Sequence, residues 1–213
     1  MNPQKLFPKE DQEMVKNAIQ QAERKISGEI VPVVARTSGN YLLVPFALSI
    51  VATIAASLSL WFLRFQYPYL LEPQSIWMIQ IAAFFVGGLL GECPWLIRKL
   101  TPYSVLDSNV RRNAMAEFMD SGVHSTHHRT GILIYISVLE RKVVILADGG
   151  VHGKLGPTYW EKSVAKIVQG IRARHPGKAL SDLILEIGDQ LKEHFPHGEE
   201  DQNEIADGIR FRL

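Results

Sequence analysis

Cysteine is almost missing from the chain. Cys93 stands alone among 213 residues, so no internal disulfide can form and the fold does not depend on an oxidising compartment. An excess of positive charge is missing too: the formal net charge is +1, whereas a phosphate-reading surface gathers Lys and Arg on one face, which argues against nucleic acid as a partner. The chain has no Gly-rich Walker pattern and no aspartyl-phosphate signature. Its first residues, MNPQKLFPKEDQ, lack a continuous apolar core and a small-residue cleavage site, so membrane insertion is expected to rely on internal segments.

Those internal segments are conspicuous. Hydrophobic residues make up 46% and charged residues 21%, values ordinary for a soluble protein, but the two classes are segregated. No charge occurs between Tyr41 and Leu63 or between Pro73 and Gly91. At about 1.5 Å rise per residue, residues 42–63 match a hydrocarbon core of about 30 Å, and they are apolar on every helical face. A second span is expected over residues 75–97, with Pro94 kinking or ending it. Gly87, Gly88 and Gly91 would let it approach Ala52, Ala55 and Ala56 of the first. Trp61, Phe65, Tyr67, Tyr69 and Trp77 around the connection suit a lipid interface. Arg24, Lys25 and Arg36 precede the hairpin and Arg98, Lys99, Arg111 and Arg112 follow it, against Arg64 alone in the connection, so the positive-inside rule puts both ends in the cytoplasm. Glu92 fits an interfacial position beside Arg98, and Cys93 reads either as an acylation site or as a packed small residue.

An even number of spans returns residues 1–40 and 99–213 to one side of the membrane, where they can fold together around a hairpin occupying residues 41–98. Met14, Val15, Ala18, Ile19, Ala22 and Ile26 recur at helical spacing before Gly28, a candidate left-handed cap. GEIVPVVAR follows as a strand, and Pro32 predicts an edge position or a bulge. Beyond the hairpin, a helix is expected from Asp107 or Ser108 to about Ser121, stopped by Gly122. GILIYISVLE and KVVILAD form a β-hairpin turning near Glu140, Arg141 and Lys142. A helix opened by Pro157 and a last one after Pro176-Gly177 complete the pattern. The expected fold is α/β, of the α+β kind: a small mixed sheet of three to four strands with helices on both faces, interrupted by a two-helix transmembrane hairpin.

Three features carry candidate chemistry. Asp148 ends a strand and precedes Gly149 and Gly150, the kind of position where open α/β sheets place ligands, although a turn accounts for Asp-Gly-Gly without any site. His152 lies near enough in sequence to act as its acid/base partner in phosphoryl transfer, with Arg129 or Arg141 holding the phosphate. His124, His127 and His128 form an H-x-x-H-H cluster that reads either as zinc ligands or as solvated loop histidines, with Asp120 upstream and Glu140 far downstream.

The run RTGILIYISVLERKVVILADGG, with GVHSTHHRTG before it, GEIVPVV upstream and QNEIADGIRFRL at the end, resembles the TPM domain, named for thylakoid acid phosphatase, a photosystem II repair protein and a receptor auxiliary subunit. The likeness covers nearly everything outside the spans and is similar to the membrane-bound bacterial members. It implies an inner-membrane location and Asp148 as the carboxylate of any site, singles out His124 among the histidines, and raises calcium or another divalent metal as a possible cofactor on Asp148 and His124. The sequence VHGKLGP after Asp148 departs from the acidic calcium-binding members. The resulting expectation is a membrane-anchored interaction domain without catalysis, acting in membrane-protein assembly, maintenance or envelope stress, with the lipid bilayer and membrane proteins or its own copies as partners. The alternative is a metal-assisted acid phosphatase using Asp148 with His124 or His152. A transporter is disfavoured, because two spans with hardly a polar residue offer no pathway.

Overall fold

The computed structural model describes residues 3–67, 72–126, 129–198 and 205–212. The chain divides into two compact units, Met1–Ser38 with Asp107–Leu213, and Gly39–Leu106.

The first unit is built on a four-stranded mixed sheet of order β3-β2-β1-β4. Strand β1 (Ile30–Ala35) pairs in parallel with β2 (Ile132–Ser137) from Ile30↔Ile132 to Ala35↔Ser137, and β3 (Lys142–Ala147) turns back antiparallel to β2. The short β4 (Arg210–Arg212) lies parallel to β1 on its other side. Strand β1 is therefore internal, contrary to the edge position that Pro32 predicts. The conflict resolves locally. Val138 N–H reaches the Ala35 carbonyl on the β2 side, whereas Arg36 N–H reaches the Arg212 carbonyl on the β4 side. Strand N–H groups alternate, so the one missing from Pro32 also belongs to the β4 side, where pairing begins only at Val33↔Arg210.

Helices cover both faces. On one, Val15, Ala18, Ile19 and Ala22 of α1 (Lys9–Glu23) meet Ile167 of α6 (Gly149–Arg172) and Leu180, Ile184 and Ile187 of α7 (Pro176–Leu191) over Ile30, Val34, Ile132 and Ile134. Close approach of α1 and α7 needs two glycines. A Cβ on Gly177 would sit 2.3 Å from Asp11 and one on Gly188 2.9 Å from Ala22, and the Asp11 carboxylate accepts the Gly177 N–H at 3.2 Å. On the other face, Val110, Ala114 and Phe118 of α5 (Tyr103–Asp120) close over Val31, Val33, Leu133 and Tyr135.

Several boundaries differ from the sequence reading. Helix α1 ends at Glu23, and Gly28 is not its left-handed cap; it lies against Thr130, whose carbonyl oxygen would be 2.8 Å from an added Cβ. Helix α5 begins at Tyr103, so Asp107 is not a cap but an ion-pair partner of Lys142 at 2.7 Å and Arg111 at 2.8 Å. Gly122, at φ 74°, does stop the helix. Helix α6 already begins at Gly149 and breaks at Gly156, φ 71°, just before Pro157.

The second unit holds α2 (Leu43–Gln66), α3 (Pro73–Gly91) and α4 (Pro94–Leu100). Helices α2 and α3 are both long and apolar enough to cross a membrane. The stretch expected as one span to residue 97 is two helices, because Pro94 cannot continue α3 and starts α4 instead. In this hairpin Gly87 faces the Leu48 carbonyl and Ala52, Gly88 faces Ser49, and Gly91 faces Pro45, whose Cα would lie 2.2 Å from a Cβ there. Ala52 is thus the one expected alanine found opposite these glycines; the end of α3 meets the beginning of α2, so Ala55 and Ala56 lie too far along. Hydroxyls within α2 are satisfied locally: Thr53 and Ser57 each donate to the carbonyl four residues back at 2.8 Å. Gln80 of α3 donates to Ser57 Oγ at 2.9 Å, a part-buried bond between the helices. In α4, the Lys99 ammonium lies 4.8 Å from the centre of the Trp95 ring.

Candidate functional site

Asp148 closes β3 and caps α6. Its N–H bonds the Gly131 carbonyl at 2.9 Å, its Oδ1 accepts the Gly149 N–H at 2.6 Å, and its carbonyl accepts the N–H groups of Val151 and His152. Its Oδ2 is enclosed without a hydrogen-bond partner among the described residues. The loop leading to β2 is held behind this corner. Arg129, a non-glycine at φ 52°, donates its N–H to the Thr126 carbonyl, and a Cβ on Gly150 would lie 2.9 Å from the Arg129 carbonyl oxygen. Glycine at 150 is what lets the two loops meet.

The structure brings Asp148, His152 and the Arg129 backbone to one corner. Arg141 is excluded, because it precedes β3 while Asp148 follows it, and a six-residue strand spans roughly 20 Å. His124 sits exposed in a short helical turn, its ring 6.5 Å from Phe118, and its neighbour Val123 packs on Gly131. His127 and His128 lie outside the described residues. Asp148 directly follows the carboxyl end of β3, as expected, but β3 runs antiparallel to β2, so Asp148 stands at the amino-terminal ends of the parallel pair β1 and β2 and not at the ligand-placing end of a parallel sheet. Among the described residues, those fit for a metal do not assemble here: Asp148 Oδ1 is committed to its cap, His124 lies tilted beside the Phe118 ring, and no three His, Cys, Asp or Glu side chains form a metal-binding group.

The carboxyl ends of β1 and β2 hold a polar cluster that sequence reasoning missed. Glu140 Oε1 accepts the Ser38 N–H at 2.8 Å and the Thr37 hydroxyl at 3.2 Å, and its Oε2 accepts the Ser137 hydroxyl. Ser38 Oγ lies 2.8 Å from Ser137 Oγ and 3.0 Å from the Tyr135 hydroxyl, and Asn113 Nδ2 donates to the Ser38 carbonyl at 2.6 Å. Burial raises the Tyr135 phenol above its ordinary value, against the lowering effect of its bond to Ser38. Ser38 is where the chain leaves the first unit, and Asn113 sits on the helix by which it returns. With Ser38, Ser137, Tyr135 and Glu140 all buried and joined by hydrogen bonds, the cluster is a clasp between the residue before the insertion, the β2–β3 turn and the helix after the insertion. The residues bear ordinary signals in sequence, a turn glutamate and linker serines, and only the fold gathers them.

A third group ties the chain's end to α1. Gln20 donates to Asp207 at 2.8 Å, and Glu23 accepts the Ile30 N–H at 3.0 Å while sharing a hydrogen bond with Asp207. Burial first, and the nearby negative charges of Glu29 and Asp207, push the Glu23 carboxyl up to about 8 although the Ile30 bond opposes them. Beside it, Arg212 forks onto Glu117 at 2.7 and 2.9 Å, which fastens β4 to α5 and holds the Glu117 carboxyl below its ordinary range.

No family model matches the chain, and no curated relative does. Among solved structures, the NMR structure of the BA42 protein from the psychrophilic bacterium Bizionia argentinensis sp. nov. is similar, with a TM-score of 0.58 and 18% identity over 96% of this chain and 94% of that one. Identity this low shows a shared fold alone.

Proposed function

We propose that the chain is a membrane-tethered, TPM-like interaction domain serving the assembly or maintenance of membrane proteins, with α2 and α3 crossing a bacterial inner membrane and both ends of the hairpin on the cytoplasmic side. The observation that carries the reading is the surface of the second unit: Leu43, Trp61, Phe65, Met78 and Leu89 are all exposed on helices of membrane-crossing length. A core helix of that length would bury them, and water would not tolerate so much contiguous apolar surface. Arg36, Arg98 and Lys99 flank the hairpin while Arg64 stands alone at the connection, which supports the cytoplasmic assignment. The clasp at Ser38, Glu140 and Asn113 supports a tether, since it joins the residue that precedes the insertion to the β2–β3 turn and to the helix that follows the insertion.

The interaction role is supported by how the polar residues are used. Asp148 caps a helix, Glu140 holds backbone, Glu117 binds Arg212, and none faces a histidine in acid/base geometry among the described contacts. Hydrolysis of a phosphomonoester by the full-length protein in lipid, with calcium or zinc added and Asp148→Ala alongside, tests this. No turnover is expected from either protein. Metal-dependent turnover that disappears in Asp148→Ala would overturn the reading in favour of a phosphatase.

A further inference from the structure

Helix α4 is placed by the helix before it. At about 1.5 Å per residue the 19 residues of α3 run about 28 Å, nearly the whole of a hydrocarbon core of about 30 Å. Pro94 then opens a new helix of seven residues, entered through an extended Cys93, so α4 does not prolong the span. The approach of Gly91 to Pro45 sets the end of α3 beside the beginning of α2, and α4 packs against both helices. In the membrane-crossing reading, on which this inference rests, α4 lies at the depth of the lipid headgroups.

Its residues divide by chemistry. At about 3.6 residues per turn, Leu96, Ile97 and Leu100 gather on one side of the helix and Trp95, Arg98 and Lys99 on the other. Glu92 is the one acidic residue from Pro73 to Leu106, and it precedes the helix, whereas both cations stand in the last turn. Cations there suit the helix dipole wherever a helix lies; the indole beside Lys99 is what a lipid interface adds. Lys99 is exposed, its ammonium 4.8 Å from the centre of the Trp95 ring, and it forms no ion pair among the described residues. The Trp95 indole N–H has no acceptor among them either.

We propose that α4 is a contact for anionic phospholipid: it lies along the bilayer surface with Leu100 among the upper acyl chains, and Lys99 and the Trp95 indole N–H take the phosphate of a negatively charged headgroup. The phosphate supplies the counter-charge that Lys99 lacks and an acceptor for the indole. An acidic peptide would meet Lys99 equally well, but Leu100, Leu89 and Leu90 are exposed at the same end of the hairpin and would need a second, apolar partner. A lipid brings both kinds of group in one molecule. The cytoplasmic leaflet, where the hairpin reading puts α4, is the anionic one.

The test uses the full-length chain in vesicles of phosphatidylcholine and phosphatidylglycerol in equal amounts. Trp61→Phe and Trp77→Phe leave Trp95 as the exposed indole beside the buried Trp160. Bromine carried high on the acyl chains of one lipid or the other quenches Trp95 where that lipid touches it. Quenching is expected to be several times stronger when phosphatidylglycerol carries the bromine, with a local enrichment of roughly fivefold for one cation at a membrane surface. Lys99→Gln is expected to bring the two lipids toward equality. If the chain floats with the vesicles while both lipids quench equally, or while neither does, the proposal is overturned and the hairpin reading is left standing. A preference unchanged in Lys99→Gln overturns it as well. A chain that carbonate strips from the vesicles overturns both.

Discussion

In the unit formed by Met1–Ser38 and Asp107–Leu213, Ile19, Leu180 and Ile184 expose 0% of their surface, whereas in Gly39–Leu106 Leu43, Trp61 and Met78 expose 82%, 69% and 71%. The polar groups invert in the same way. Gln80 bonds Ser57 between the helices of the second unit, while the Lys25–Asp189 pair of the first lies on its surface. Two parts of one chain thus follow opposite patterns of what lies inside, and under the membrane-tethered reading proposed above that is what folding in two solvents requires. On that reading water drives apolar residues into the sheet domain while lipid gives them no reason to hide, and the hairpin is held by close contact at Gly87 and Gly91 and by the Gln80–Ser57 bond.

The largest effect should come from a pair of matched truncations. Ile184→Ala removes a fully buried side chain and is expected to destabilise the sheet domain by about 2–5 kcal/mol, whereas Leu89→Ala on the exposed face of α3 should stay within about 0.5 kcal/mol. Hydrogen exchange of the β1 and β2 amides reads both; equal losses would erase the contrast. Glu140→Ala comes next. It strands the buried Ser38 N–H and Ser137 hydroxyl, at about 1–3 kcal/mol for a lost buried partner, and should quicken proteolysis at residues 38–40.

Gly91→Leu puts a side chain where the Pro45 backbone stands. Overpacking of this kind costs about 1–3 kcal/mol, and it should appear as a wider α2–α3 separation in spin-label distances while β1 and β2 exchange is unchanged. A change in the sheet with none in the hairpin would contradict the division into two units. The smallest effect is electrostatic. Glu23 has a folded value of about 8 against an ordinary 4.5, so the folded form holds the proton more tightly. The stability this lends is whole below pH 4.5 and declines as pH rises from 4.5 to about 8. Urea midpoints across that window should fall for the wild type and flatten in Glu23→Gln; parallel curves would mean that burial and its acidic neighbours do not raise the Glu23 carboxyl.

The pattern of apolar residues made α2, α3, β2, β3 and the late helices legible, because each writes its apolar run or period locally in the sequence. What it hid depends on distant partners. Strand β4 is three residues with two arginines, carries no period, and exists through its pairing with Val33–Ala35 and the Arg212–Glu117 fork. Pro32 suggested an edge correctly for its own N–H but not for the strand. Glu140 stood at the hairpin turn in the sequence and is buried in the fold, because Ser38, Thr37 and Ser137 bond it there. The Asp148 corner was partly legible: the Asp-Gly-Gly run marked a turn, but the direction of β3, and so the end of the sheet it occupies, needed the pairing.

The claim that α2 and α3 cross a membrane while the sheet domain stays on one side is tested most directly by labelling single cysteines with a membrane-impermeant maleimide in intact cells, in a Cys93→Ser background. Tyr67→Cys, at the end of α2, should be labelled from outside, and Arg174→Cys, exposed between α6 and α7, only after the cells are opened. Labelling of both, or of neither, before lysis would contradict a hairpin that crosses the membrane.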